Sequence, residues 1–526
     1  MDTLADKPAD KPADKPADKP ADKPADKPAE KPADKPADKP ADKPMAEEKP
    51  LRPLWSPFTY FPHQETGIRW MLDKEKIGTR VEDKEIRGGC QCDDMGLGKT
   101  IQMISTMVNH VLPATLLLAP VAMLETWTDA CQHAGLTVYH LTDCEWTYVP
   151  SLYPIPTAFI KKKPAVYLTN YEKLYRLHTP FTREWDRIVM DEAHKIRNAA
   201  GDIARVCRGI KAPIRWALTG TPLVNSLRDV TSLLAFLGVP HAPNFRWETR
   251  YIALLPQLMI HRSLESLKLQ GPPRPEIHSL LLPFTTKEEE QFYHTIQSGA
   301  SEPMDKVNYA FLMLLRLRQI SVHPQVYIAS KRRAGPYPRP DWTAPSTKFT
   351  AIKEIMEQAN RDQQANRDQK DDGPKGHSGP HKTIMICQFH DEMTLLHQFL
   401  ISQALVKEDH ILMYHGGMNH AERAACLKRS KETTESTVLL LQLQAGGVGL
   451  NLQEYDRIIF MSPYWTSALM DQAVARAVRM GQKKVVQVYH LALITEKEGI
   501  NIDNMVNEKA DGKRRQLETL FTVCHS

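Results

Sequence analysis

The chain lacks most of what would mark a secreted, metal-stapled or membrane protein. Its eight cysteines (Cys90, Cys92, Cys131, Cys144, Cys207, Cys387, Cys426 and Cys524) are scattered over 526 residues. Only Cys90 and Cys92 are close, and one C-x-C pair is not a zinc framework. They read as reduced thiols of an intracellular protein. No apolar run approaches the roughly 18 residues of a membrane span. The N-terminus has no apolar signal core. Neither charge sign dominates: the formal net charge is +5 and the pI about 8.6. That balance permits nucleic-acid binding without arguing for it. With 42% hydrophobic and 25% charged residues, the composition is that of a globular protein. The length allows two or three compact domains.

Residues 5–44 are ten tandem ADKP units, one of them AEKP. Proline at every fourth position forbids a helix or a central strand, and the repeat has nothing to bury. It reads as an extended, disordered, solvated tail spanning 1–50. Beyond it, short apolar strands alternate with amphipathic stretches: ATLLLAP from Ala114, AVYLTN from Ala165, RIVMDEAH from Arg187 and RWALTGTP from Arg215. A second set follows: TIMICQF from Thr383, HILMYHG from His410, TVLLLQL from Thr437, RIIFMSP from Arg457 and VVQVYHL from Val485. Mostly helical patterning separates them, and the polar stretch Ala359 to Lys382 reads as a loop or linker. The expected fold class is α/β: a first lobe at 51–240, a helical insertion and linker at 241–345, and a second lobe at 346–526.

The chemistry concentrates at strand ends. DDMGLGKT, at Asp93 to Thr100, reads as a phosphate-binding loop. Its members Asp94, Met95, Gly96, Leu97, Gly98, Lys99 and Thr100 would cradle a nucleotide. The glycines let backbone N–H groups approach the phosphates, Lys99 would contact the β- and γ-phosphates, and Thr100 would ligate Mg²⁺. Asp93 stands where the generic pattern expects glycine. DEAH follows the apolar strand RIVM. Asp191 would hold Mg²⁺ through water and Glu192 would polarise the attacking water. Thr219, Gly220 and Thr221 would sense the phosphate state. Arg476 and Arg479, at i and i+3, are expected on one helical face. Helical arginines are usually solvated, but these two follow QAGGVGLNL, and arginine fingers are the better reading. A dinucleotide loop at GGVGLNL is disfavoured, because no βαβ unit with a ribose-binding acid follows.

Taken in order, these blocks resemble the Swi2/Snf2 family of superfamily-two helicase-like ATPases, from about Pro57 to at least Leu493. The blocks are PHQETGIRWML, DDMGLGKT, LLLAPVAMLETW, MDEAHKIRN, ALTGTPLVNS, LMIHRSLESL before PPRPEI, LRLRQISVHP, QAGGVGLNL, SPYWTSALMDQA and RAVRMGQ. The wording leans toward the Rad5-like and transcription-termination-factor-like branch. The resemblance implies two RecA-like phosphate-loop lobes with the helical insertion between them. It implies ATP and Mg²⁺ as ligands, Gln64 as the adenine reader, and Thr169, Asn170, Gln388 and Trp465 as DNA-cleft candidates. Double-stranded DNA is the implied partner, with chromatin, transcription or repair proteins beside it, no membrane, and a nuclear setting (a host nucleus for a viral protein). The interval before the second lobe lacks the cysteines of a RING domain, and no chromatin-reading module is visible. Ser462 and Thr466 stand where acidic and Asn residues are more usual. The segment after Thr495 only loosely resembles the family's C-terminal brace. Basic clusters at Lys161 to Lys163, Lys331 to Arg333 and Lys513 to Arg515 read as solvated faces first and DNA contacts second.

The function expected is an ATP-dependent translocase on double-stranded DNA that does not separate strands. Two rivals stand beside it: a strand-separating DEAH-type helicase, and a non-enzymatic scaffold. Intact Lys99, Asp191, Glu192, Arg476 and Arg479 oppose the scaffold.

Overall fold

The computed structural model describes residues 50–154, 159, 164–177, 181–240, 247–267, 272–298, 306–368, 381–443, 450–479, 481–495 and 501–525. The ADKP repeats, Lys161 to Lys163 and Gln444 to Gly449 lie outside the described residues. Leu51–Ser526 is one compact unit.

Two sheets organise that unit. The first holds β1 (Thr79–Val81), β2 (Lys84–Gln91), β3 (Ala114–Leu118), β4 (Thr137–Thr142), β5 (Glu145–Tyr148), β6 (Ala165–Thr169), β7 (Arg187–Asp191), β8 (Ile214–Leu218) and β9 (Met259–Ile260). Its order is β1-β2-β8-β7-β3-β6-β4-β5, with β9 paired to β2. The central strands are parallel; only the β1–β2 and β4–β5 hairpins run antiparallel. β3 and β7 are buried at every residue. Helices cover both faces of such a sheet, which is why these strands read as unbroken apolar runs. Gly88 permits the close pairing of β2 with β8: a Cβ there would stand 2.0 Å from the Arg215 carbonyl oxygen.

The second sheet comprises β10 (Glu276–Pro283), β11 (Lys382–Cys387), β12 (Ile411–Tyr414), β13 (Thr437–Gln442), β14 (Arg457–Phe460) and β15 (Gln487–Ile494). Every pairing is parallel, in the order β10-β15-β14-β11-β13-β12.

The stretch expected to be helical from 241 to 345 is not uniformly so. β9 belongs to the first sheet and β10 to the edge of the second. A two-residue strand carries no readable period, and β10 sits behind a proline cluster that reads as loop. Helices then fill the interval, at Lys287–Gln297, Lys306–Val322 and Pro324–Ala334. The linker expected from Ala359 begins inside a helix, Thr347–Asp368. ANRDQQANRD is polar but rich in good helix formers, with no proline or glycine until Gly373.

One buried ion pair fixes the entry helix Pro62–Lys76 to the first sheet. Arg187 of β7 donates to both Glu75 oxygens, at 2.6 and 2.5 Å. Trp216 of β8 donates at 2.8 Å, and the His110 ring lies 2.5 Å away. Burial opposes ionisation of Glu75. The Arg187 charge and the three hydrogen-bonding partners outweigh it and hold the carboxyl below its ordinary 4.5. Stability from this pair is therefore present above the ordinary carboxylate range and is lost as pH falls through the depressed value. Glu75→Ala leaves Arg187 buried and uncompensated, at an expected cost of about 3–5 kcal/mol. Urea denaturation at neutral pH measures it; a loss under about 1 kcal/mol would refute the staple.

The last helix, Ile502–His525, spans the two lobes. Near its start Asp503 accepts from Ser321 and pairs with the buried Lys348 at 2.8 Å. Near its end Leu520 is buried in the core of the first lobe. Phe521 stacks on His261, with ring centroids 3.4 Å apart and planes within 5°.

Candidate active site

Parallel strands deliver the candidate residues to one edge of the first sheet, at its carboxyl end. β2 runs into DDMGLGKT. Gly96 and Gly98 take positive φ, 89° and 80°, which turns the loop over the start of the helix Lys99–Asn109. A side chain would be strained there whatever the room. Lys99 Nζ donates to the Asp93 and Asp94 carbonyls at 2.6 and 3.1 Å. Thr100 follows in the first turn, partly buried. Gln64 lies against this loop: a Cβ on Gly98 would meet its Nε2 at 2.6 Å. Its Oε1 also accepts the Phe61 N–H at 3.2 Å, which caps the entry helix.

Asp93 is not an exposed substitute for glycine. It is fully buried and held from three sides. Arg262 grips both of its oxygens, and Gln91 and Gln102 donate at 2.7 and 3.1 Å. The neighbouring His261 stands 3.3 Å from Asp94. A two-residue segment just past β9 thus secures both aspartates at the loop's entrance.

β7 ends in Asp191 and Glu192. Trp127 Nε1 donates to Asp191 Oδ2 at 2.8 Å. Burial, then the charge of Glu192, pushes the Asp191 carboxyl up to about 6, against the pull of Trp127 and Lys99. Burial acts the same way on Glu192, but His194, Arg476 and Lys99 together hold it below its ordinary value. Glu192 also takes a left-handed backbone, φ 51°. Such a conformation in a non-glycine residue signals a position fixed by its surroundings.

β8 ends at Thr219, Gly220 and Thr221. His194 Nδ1 lies 3.3 Å from Glu192 Oε2 and 3.4 Å from each threonine hydroxyl. A Cβ on Gly220 would stand 3.5 Å from Lys99 Nζ. From the second lobe, Gln472 Nε2 reaches Thr221 Oγ1 at 3.5 Å. The carboxylates, the threonine loop and the opposite lobe are in register through these contacts.

Arg476 sits on the helix Ser467–Ala477, only 5% exposed. Burial lowers its pKa, while the charges of Glu192 and Asp191 in the other lobe reach it and act to raise it. Arg479 departs from expectation. The helix ends at Ala477, and Val478 leaves the helical region with ψ 82°. Arg479 therefore lies past the helix, where its Nε donates to the Ala475 carbonyl at 3.1 Å. Burial, then the Arg476 charge, pushes it down to about 10. Two desolvated guanidiniums next to one another favour an anion.

The residues fit Mg²⁺. Thr100 and Asp191 offer hard oxygen donors, and the crowded buried pair Asp191–Glu192 gains from a dication.

Among the cleft candidates, Thr169 and Asn170 close β6 and are buried, at 2% and 7% exposure. Asn170 caps the helix Tyr171–Arg176 by accepting from Lys173 N–H at 2.8 Å. Gln388 and Trp465 are half-buried in the second lobe. Among the described residues, the clusters Lys331 to Arg333 and Lys513 to Arg515 are largely engaged internally. Arg332 pairs with Asp341, Arg333 with Asp391 and Arg514 with Asp471, while Lys513 Nζ donates to the Trp465 carbonyl at 2.7 Å. Sequence reasoning missed Trp127, His194, Arg262 and Gln472. For Gln472 a signal existed: it precedes Arg476 by four residues, on the same helical face.

The SNF2-related domain family matches residues 63–326, and the helicase conserved C-terminal domain matches 376–481. The "Probable global transactivator" of Orgyia pseudotsugata multicapsid polyhedrosis virus is 26% identical, over 87% of this chain and 91% of that one. The "DNA repair protein RAD5" of Gibberella zeae is 24% identical, over 78% of this chain and 52% of that one. An "Uncharacterized ATP-dependent helicase" of Schizosaccharomyces pombe is 24% identical, over 88% and 60%. The chain thus spans between half and three fifths of the length of these two fungal relatives. A Sulfolobus solfataricus SWI2/SNF2 ATPase core in complex with dsDNA aligns with 90% of this chain and 99% of that chain. It does so at 20% identity and a TM-score of 0.37, which adds nothing to the family match.

Proposed function

This chain belongs to the SNF2-related domain family of helicase-like ATPases, and from that membership we propose that it translocates on double-stranded DNA, hydrolysing ATP to remodel protein–DNA complexes without separating strands. One observation carries the reading: the helix Ser467–Ala477 of the second lobe brings Gln472 to 3.5 Å from Thr221 of the first, and buries Arg476 where the charges of Glu192 and Asp191 reach it. Hydrolysis then depends on how the lobes meet, and whatever substrate spans both lobes governs the rate.

The loop Asp94 to Thr100 and Gln64 hold ATP. Glu192, kept ionised by His194, Arg476 and Lys99, orients and polarises the attacking water. Arg476, with Arg479 behind it, meets the charge that develops on the transferred phosphoryl group. Thr100 and Asp191 would hold Mg²⁺, which would supply charge neutralisation to the bound phosphates. His194 links Glu192 to Thr219 and Thr221, and Gln472 links Thr221 to the moving lobe. Contacts to duplex DNA are mainly to phosphate, so binding is salt-sensitive and weakly sequence-specific. Repair, transcription and chromatin proteins in a nucleus are the partners and setting this reading favours.

ATPase assays with duplex DNA, single-stranded DNA and RNA test it, beside a triplex-displacement assay and a strand-separation assay. Duplex stimulation with third-strand displacement and no unwinding is expected. Stimulation by RNA alone would favour the strand-separating alternative. No hydrolysis with any nucleic acid would favour the scaffold.

A further inference from the structure

Arg318 is an unusual residue to half-bury. It leaves the insertion helix Lys306–Val322 and enters the second lobe, where the charges of Asp503 and Glu392 reach it but neither carboxylate accepts a hydrogen bond from it. Instead its Nη2 donates to the neutral Oε1 of Gln388. The guanidinium carbon stands 5.9 Å from the Trp465 ring centroid. Desolvating a guanidinium is costly, and an amide carbonyl offsets only part of that. A methionine would fill the volume without the penalty. What arginine adds is a planar fork that can hold an amide at its edge while stacking on an indole with its face.

Both ends of the Gln388 amide are thereby committed. Oε1 receives Arg318, and Nε2 donates to the Pro463 carbonyl at 3.2 Å. The backbone beneath is fixed as well, since Gln388 N–H donates to the buried Glu392 at 2.7 Å. One Gln388 amide hydrogen remains for a further acceptor. Trp465 is held from its other side through the Lys513 bond to its carbonyl. Two residues 77 positions apart in sequence are thus joined by a third from a different element, and these two are the second lobe's cleft candidates.

We propose that Arg318 is a positioning residue for duplex DNA: it holds Gln388 and Trp465 as one phosphate-facing unit and ties that unit to the insertion. This rests on the translocase reading above. Arg318 acts through Gln388 and is not itself the DNA contact.

A double-mutant cycle on the full chain tests this, reading the duplex concentration that half-saturates ATPase stimulation. Arg318→Ala and Gln388→Ala are each expected to raise it about tenfold. The double variant should be no worse than the more severe single one, because both remove the same arrangement. Arg318→Lys keeps the charge but loses the fork, so it should remain impaired. Arg318→Met, which preserves side-chain volume, is run in parallel and should behave as Arg318→Ala does. Multiplicative losses in the double variant, or full rescue by lysine, would overturn the proposal and leave the translocase reading intact. A wild type that duplex DNA fails to stimulate overturns both.

Discussion

Arg476→Ala is expected to slow ATP hydrolysis on the order of 10³-fold while leaving nucleotide affinity within a few-fold of wild type. Arg476 comes from the lobe that does not carry the phosphate loop, and it is buried within reach of the charges of Glu192 and Asp191. On the proposed function, Lys99, Gln64 and the loop amides hold the ground-state nucleotide. An arginine delivered from the far side adds little there, and much when charge shifts in the transition state. Lys99→Ala should show the opposite profile, with weakened nucleotide binding as the first symptom. Arg476→Lys keeps a buried cation at the position and controls for loss of packing. Fluorescent-nucleotide titration together with single-turnover hydrolysis separates the two effects. Equal loss of affinity in Arg476→Ala and Lys99→Ala would remove the finger assignment.

Glu192→Gln should cost roughly 10³-fold in hydrolysis with nucleotide binding retained. Glutamine preserves shape, hydrogen-bond reach and the left-handed backbone at this position. It removes only the negative charge that is proposed to orient water. That charge is maintained against burial by the hydrogen bond to His194 and the charges of Arg476 and Lys99, with His194 and Lys99 from the first lobe and Arg476 from the second. A trapped, nucleotide-bound variant that still binds duplex DNA is the expected phenotype. Residual turnover above about a tenth of wild type would mean another group polarises the water.

Much of this was legible in the chain because of how parallel sheets are built. β3, β7 and β13 are covered on both faces, so their apolar runs announce them without any periodicity. DEAH was legible because it follows such a run, RIVM, whereas the phosphate loop was legible from its own wording, GLGKT, and not from the mixed strand KEIRGGCQ before it. What lay hidden depends on residues far apart. Arg262 lies 169 positions from Asp93, and Gln472 lies 251 from Thr221. No local pattern predicts either contact. Asp93 looked like a defect in a glycine pattern until its partners were in view. Arg479 looked helical because i, i+3 spacing assumes the helix continues, and Val478 ends it. β9 and β10 were missed for a different reason: strands that owe their existence to a neighbour's edge leave little trace in their own residues.

The last helix changes how the lobes can move. At 24 residues it is a rod of about 36 Å. One end is pinned by Asp503 to Lys348, and the other is sunk in the first lobe through Leu520 and Phe521. The insertion supplies a second, covalent connection between the same two bodies. Two rigid bodies joined at one point can pivot in any direction. Joined at two separated points, they are reduced to swinging about the line between them. Any relative swing of the lobes is therefore confined by the rod and the insertion together, as a frame hung at two places is confined.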